Sequence, residues 1–214
     1  MNSFQNKAVR ITEQVLASLK IKPGQTEAEV ARSILKKIKS LGGQKEAFRT
    51  IVASGKRSSL VHGFSTGKRI RPGEIVMIDF GVLYREYRSD ITRTFILGKM
   101  SRMQNKIYRL VLKAQKAALS VIREGVECRE VDLAAREVIR KAGFGNYFRH
   151  TTGHGIGMKV HQAPKLSRRN RNRLKAGQVI TVEPGIYLKH WGIRIEDMVM
   201  VTKKGYQLLT KVPK

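Results

Sequence analysis

Two stretches of the chain answer each other 101 residues apart. Gly24-Gln-Thr-Glu-Ala-Glu-Val30 is matched by Gly125-Val-Glu-Cys-Arg-Glu-Val131, and Gly42 is matched by Gly143. Such a repeat constrains folding more than composition does, because each copy must build the same local unit and the copies must share a core. The first copy sits between a predicted helix at about 6–20, carried by Val9, Val15, Leu16 and Leu19, and a second through Val30, Ile34, Leu35 and Ile38. Lys22-Pro23-Gly24 breaks the first helix, Thr26 with Glu29 forms a capping box for the second, and Gly42-Gly43 stops it. The second copy has the same order. Ser101 and Gln104 open a helix that ends near Gly125, and another runs from about 130 to 141 and stops at Gly143. Strand patterns follow each pair of helices, at 48–53, 74–84 and 87–97, then at 153–160, 178–188, 193–201 and 206–210. Without strict strand–helix alternation, the order predicts an α+β domain of two αβ halves about a pseudo-twofold, their strands forming a shared curved sheet.

Acidic residues are scarce: Asp+Glu is 16 against Lys+Arg 43, a formal net charge of +27. Four of them nevertheless lie in strongly apolar, strand-like segments: Asp79, Asp90, Glu183 and Glu196. A buried carboxylate costs several kcal/mol unless a cation or hydrogen-bond donors compensate it. Four together point to a shared compensating charge. With His154, set in Gly153-His-Gly-Ile-Gly157, they make a donor set suited to Mn²⁺, Fe²⁺, Co²⁺ or Zn²⁺. So many negative charges crowd one ion, whereas two ions ~3.5–4 Å apart use them all. The structural alternatives for the single residues are ordinary ones: a turn at Asp90 and Thr92, a plain loop at Glu183-Pro184-Gly185, a core or surface histidine at His154.

The remaining composition excludes other classes. No apolar run approaches the ~20 residues of a membrane span. The start, MNSFQNKAVRITEQ, lacks the apolar stretch of a secretory signal, and the single cysteine, Cys128, makes no internal disulfide, so a cytoplasmic location is expected.

Further strings accompany the candidate ligands: Ile78-Asp-Phe-Gly81, Ser89-Asp-Ile-Thr-Arg-Thr94, His150-Thr-Thr-Gly-His-Gly-Ile-Gly157, Val160-His161, Thr181-Val-Glu-Pro-Gly-Ile-Tyr187 and Gly192-Ile-Arg-Ile-Glu-Asp197. In these strings and their order the chain resembles the pita-bread metallopeptidases (family M24), within them the aminopeptidase P and prolidase branch, from about residue 5 to 210. The resemblance implies a pita-bread fold, two halves around a curved antiparallel sheet. It implies one domain over 1–214, without the separate N-terminal domain of two-domain relatives. It implies two divalent ions, manganese first and cobalt, zinc or iron as alternatives. Asp79 would hold one ion, His154 and Glu183 the other, with Asp90 and Glu196 bridging. A metal-bridging hydroxide would hydrolyse the N-terminal bond of peptides, Xaa-Pro in particular, with Glu183 as proton acceptor. His62, His150 and His161 match positions lining the family's substrate site, and Arg194 would steady neighbouring carboxylates; His190 receives no role.

Departures and rivals remain. Gln162 stands where the family commonly has Glu, and Glu86 where relatives often have a small residue. If the N-terminal domain of two-domain relatives is absent, as the resemblance over 1–214 implies, methionine-aminopeptidase-like processing of nascent chains is one alternative. A non-catalytic basic module on ribosomes or RNA is another, and a monomer or small homo-oligomer fits either. If the charge serves such a polyanion, the densest basic segment, Lys165 to Lys175, is expected to be an exposed loop or ragged helix away from the cleft mouth.

Overall fold

The computed structural model describes residues 2–214. The first half opens with helices α1 (Ser3–Ala17) and α2 (Glu27–Ser40). Six strands follow: β1 (Lys45–Glu46), β2 (Ile51–Ser54), β3 (Ile75–Phe80), β4 (Val82–Tyr84), β5 (Tyr87–Arg88) and β6 (Ile91–Ile96). The second half repeats the plan with α3 (Arg102–Val121) and α4 (Cys128–Lys141). Its strands are β7 (Gly153–Gly155), β8 (Gln162–Leu166), β9 (Val179–Val182), β10 (Gly185–Tyr187), β11 (Gly192–Arg194), β12 (Asp197–Val201) and β13 (Tyr206–Leu208).

The helix ends are set locally. Thr26 Oγ1 accepts from the Glu29 amide (3.1 Å) while Glu29 returns a bond to the Thr26 amide (2.7 Å). Ser101 and Gln104 form the same reciprocal pair. Gly42 and Gly143 end α2 and α4 at φ 88° and 86°, a left-handed conformation that a side chain disfavours. Other bounds differ from expectation: α1 starts early, where Asn2 accepts from the Phe4 amide, and stops at Ala17, and α3 stops at Val121 short of Gly125.

The repeat extends to the backbone bonds. The Gly24 amide donates to Ile70 O and the Gly125 amide to Leu174 O, both at 2.8 Å. Likewise Glu27 bonds Lys68, and Cys128 bonds Asn172. In each half the helices pack their apolar faces on a sheet. Ile11, Val15, Ile34 and Ile38 meet Val76, Ile78 and Phe80, while Val111, Ala118, Val131 and Ile139 belong to a core with Ile180, Val182 and Val199. A smaller cluster of Val9, Ile156, Val179, Met198 and Leu209 joins residues of both halves.

Every strand pairing among the described residues is antiparallel. The two larger sheets run β2-β3-β6 and β13-β12-β9-β7-β8. They abut at a seam where the Glu196 amide donates to Thr92 O (3.2 Å) and Thr94 Oγ1 exchanges bonds with the Arg194 backbone. The expected strands 74–84, 178–188 and 193–201 are each broken in two, at Gly81, at Glu183-Pro184 and at Ile195-Glu196, the expected strand 153–160 shortens to β7, and β8 arises where no strand was expected.

Candidate metal centre

The seam between the halves gathers the acidic residues. Asp79 is the fifth residue of β3, opposite Thr92 of β6, and Asp90 immediately precedes β6. His154 is the middle residue of β7, Glu183 follows β9, and Glu196 lies between β11 and β12. Gly153 and Gly155 let His154 in: a Cβ on either would come within 2.0 Å of Thr181 O or 2.2 Å of Ala163 O. All five side chains, with His62, His150, His161 and Arg194, line one cleft of about 930 Å³.

His154 Nε2 stands 3.3 Å from Glu183 Oε1 and 3.8 Å from Asp90 Oδ2. Asp90, His154 and Glu196 each place one ligand atom within 4.8 Å of the others. Asp90 and Glu196 are almost wholly buried, at 4% and 1% exposure. Burial, then the charges of Glu196, Asp79 and Glu183, drive the Asp90 carboxyl well above the usual range. Burial and the charges of Glu183 and Asp79 do the same to Glu196, and burial raises Asp79 despite Arg194. Glu183 goes the other way. Burial opposes it, but the hydrogen bond to His154 and the charges around it hold it at about 2.

This donor set fits divalent cations. Asp79 Oδ1 and Asp90 Oδ1 are buried and have no hydrogen-bond partner. Native interiors rarely leave polar atoms so. Buried carboxylate oxygens that repel one another along one cleft are what hard cations compensate.

Arg194 organises the back of the site. Its Nη2 donates to Asp79 Oδ2 (2.5 Å), its Nε to Thr92 Oγ1 (3.1 Å) and its Nη1 to Tyr187 Oη (2.8 Å). Thr92 Oγ1 in turn donates to Glu196 Oε2 (2.7 Å). Sequence reasoning gave Arg194 a steadying role but missed Thr92 and Tyr187. Both lay in plain view in the strings that carried the resemblance, and only the fold shows what they touch. Arg93, buried beside the seam, was also missed. It donates to the carbonyls of Thr92 and Glu196 and to Asp197 Oδ1.

The histidines divide into two kinds. Burial lowers His150 to about 4, so its ring is neutral at physiological pH. Nδ1 is 2.8 Å from Thr151 O and therefore carries the proton, while Nε2 accepts from Tyr187 Oη at 2.7 Å. Both nitrogens of His150 are thus engaged, so it has no donor to offer a reacting oxygen. His62 and His161 are exposed at the cleft. The His161 ring stands edge-on to His154 at 4.4 Å.

One expectation about charge is corrected. Lys165, Asn170 and Asn172 line the cleft, so the segment Lys165–Lys175 borders its mouth instead of lying away from it. Beyond its start in β8 the segment is, as expected, a mostly exposed loop, anchored where the amides of Cys128 and Arg129 donate to the carbonyls of Asn172 and Asn170. Among the described residues no helix is long and apolar enough to cross a membrane.

Comparison with known proteins agrees with this geometry. The profile of "Metallopeptidase family M24" matches residues 4–203. An Xaa-Pro dipeptidase of Pyrococcus furiosus is 46% identical over 208 residues, covering 96% of this chain and 60% of that protein. The solved prolidase from Pyrococcus furiosus superposes with a TM-score of 0.97 at 43% identity, covering 99% of this chain and 64% of that one. The X-Pro aminopeptidase from Thermotoga maritima gives 0.96 at 40% identity, covering 98% and 60%. The chain thus spans about 60% of the length of such relatives.

Proposed function

The chain belongs to metallopeptidase family M24, and from that premise we propose that it hydrolyses the bond between the N-terminal residue of a peptide and a following proline. The observation that carries this reading is the convergence of Asp79, Asp90, His154, Glu183 and Glu196 on one cleft, with two buried oxygens unpartnered. Asp79, Asp90, His154, Glu183 and Glu196 would hold two divalent ions, manganese in the first place. Bound there, the ions would supply Lewis acidity and make water nucleophilic near neutral pH.

The chain's own groups do the rest. Glu183, ionised throughout the physiological range, takes a proton from the attacking water. It delivers that proton to the departing proline nitrogen as the carbon–nitrogen bond breaks. His62 and His161 face the cleft with free ring nitrogens and can donate to the oxygen that gains charge as the carbonyl is attacked. Arg194 holds Asp79 directly and Glu196 through Thr92, which fixes the positions of both carboxylates before substrate arrives. His150 and Tyr187 complete that framework as positioning residues.

The test is a panel of Xaa-Pro, Met-Ala and Ala-Ala peptides with Mn²⁺ and with Co²⁺. Hydrolysis confined to the Xaa-Pro members is expected. Preferential release of Met from Met-Ala would move the reading to methionine removal, and no hydrolysis with either metal would leave a binding module.

A further inference from the structure

A second pocket of about 450 Å³ opens beside the cleft and shares His150, Thr151 and Lys165 with it. Its other cationic liners include Arg149, Arg168 and Arg169, and no carboxylate lines it. A further cationic liner, Arg136, is paired with Asp132, and nearby Arg173 bonds Glu127. Among the described residues Arg149, Lys165, Arg168 and Arg169 have no carboxylate partner. In a chain this basic, unpaired surface cations are unremarkable one by one. Four around one concavity, continuous with a catalytic cleft, make a local field of one sign.

Both walls of the pocket are held in place. Arg136 donates to Phe148 O (3.0 Å) and to His150 O, which fixes 148–150. Asn170 Nδ2 donates to Lys165 O (2.6 Å), and the start of α4 holds the carbonyls of Asn170 and Asn172. A ligand that enters therefore orders little of the backbone.

We propose that this pocket receives acidic side chains of a peptide substrate downstream of the scissile bond, and so selects acidic peptides. The inference rests on the peptidase reading. Its orientation follows from charge. A peptide's α-ammonium is repelled by the four cations and so lies on the far side of the cleft from them. The leaving portion then lies toward the shared wall of His150, Thr151 and Lys165, and anionic groups along it meet Arg149, Arg168 and Arg169. A nucleic-acid backbone would meet the same cations, but the pocket's continuity with the cleft favours a ligand that occupies both.

The test compares two peptides that begin Ala-Pro-Gly and continue with two Asp or two Asn residues, together with the Ala-Pro dipeptide, in the manganese-loaded protein. The variant is Arg149→Gln/Arg168→Gln/Arg169→Gln. Exposed charge pairs are individually weak, so the wild type is expected to favour the Asp peptide about five- to tenfold in kcat/KM. The variant should lower that ratio to near one and leave the dipeptide unchanged. Equal kcat/KM for Asp and Asn peptides in the wild type, or a preference that survives in the variant, overturns the proposal. Loss of binding to a short RNA in the variant, without any Asp preference in the wild type, also overturns it and assigns the pocket to a nucleic-acid backbone. If no peptide is cleaved, the dipeptide included, the peptidase reading has failed, and fluorescence anisotropy with labelled Asp and Asn peptides decides the pocket. Tighter binding of the Asp peptide that disappears in the variant supports it, and equal binding overturns it.

Discussion

The two halves share a backbone frame yet fill its central junction with opposite chemistry. At the first turn of α2, Glu27 is fully buried. It accepts from Ser54 N and Oγ, Thr66 N and Oγ1 and Arg57 Nε, at 2.8 to 3.1 Å. At the matching turn of α4 stands Cys128, equally buried but among Val131, Ile139 and other apolar neighbours. Yet Glu27 and Cys128 make the same backbone bond, to Lys68 O and Asn172 O. The second half places its buried carboxylate four residues later, at Asp132, which ties Arg136 to Thr152. A repeat thus preserves hydrogen-bond geometry more strictly than side-chain chemistry, because many interiors satisfy one backbone. The candidate metal centre is where the halves meet in one cleft: the first contributes Asp79 and Asp90 to its lining, the second His154, Glu183 and Glu196.

Disrupting that shared cleft should have the largest effect. Asp90→Asn removes a charge from the seam while keeping its shape. Activity on an Ala-Pro peptide is expected to fall by about a thousandfold or more, with reduced manganese content by elemental analysis. Full activity in this variant would separate the halves functionally. Next comes the polar junction. Glu27→Ala strands five donors and the Arg57 charge, and should cost about 3–5 kcal/mol in urea unfolding. Cys128→Ala leaves only a small apolar cavity and should cost about 1–2 kcal/mol. Similar losses at both positions would mean that the two junctions are energetically equivalent after all.

Metal removal sharpens the comparison through pH. Asp79, Asp90 and Glu196 are raised in the folded chain by burial and mutual repulsion. The folded state therefore holds protons that the unfolded state has released. Above the ordinary carboxylate range, stability of the metal-free protein should fall as pH rises until those groups ionise. Glu183, held at about 2, acts oppositely, stabilising above its unfolded range and losing that contribution only as pH falls below about 4.5. Urea midpoints of the stripped protein between pH 5 and 8 should decline, and saturating Mn²⁺ should flatten the slope. A midpoint that rises with pH in the stripped protein would contradict this reading of the seam. The smallest effect concerns a hairpin of the first half. Arg85 and Glu86 turn β4 into β5 at φ 43° and 71°. Such two-residue turns favour glycine. Glu86→Gly should stabilise by about 0.5–1 kcal/mol in thermal unfolding.

What was legible in the sequence was local or cumulative. The capping boxes at Thr26 and Ser101 and the glycines at 42 and 143 act within one turn, so they read directly. Four of the five candidate ligands stood out because carboxylates are costly in apolar segments, and His154 by its setting among glycines. Less legible was whatever depends on partners distant in the chain. Glu27 reads as an ordinary acidic residue in a helix's first turn, and only the approach of Ser54 and Thr66 makes it a buried hub. Strand β8 was hidden by Pro164, which cannot donate to a ladder. It is tolerated because β8 is the edge of its sheet. The chain from Arg194 through Tyr187 to His150 joins residues from three segments, and it ties His150, which also lines the cleft, to the framework behind it.

The central claim is that side chains from both halves form one divalent-metal site that drives peptide hydrolysis. Its most direct test is a titration of the chelator-stripped protein with Mn²⁺, read by hydrolysis of an Ala-Pro peptide. Activity should be absent at the start, rise with added metal and saturate near two equivalents per chain. Hydrolysis that persists in excess chelator, or that is indifferent to added metal, would contradict the account.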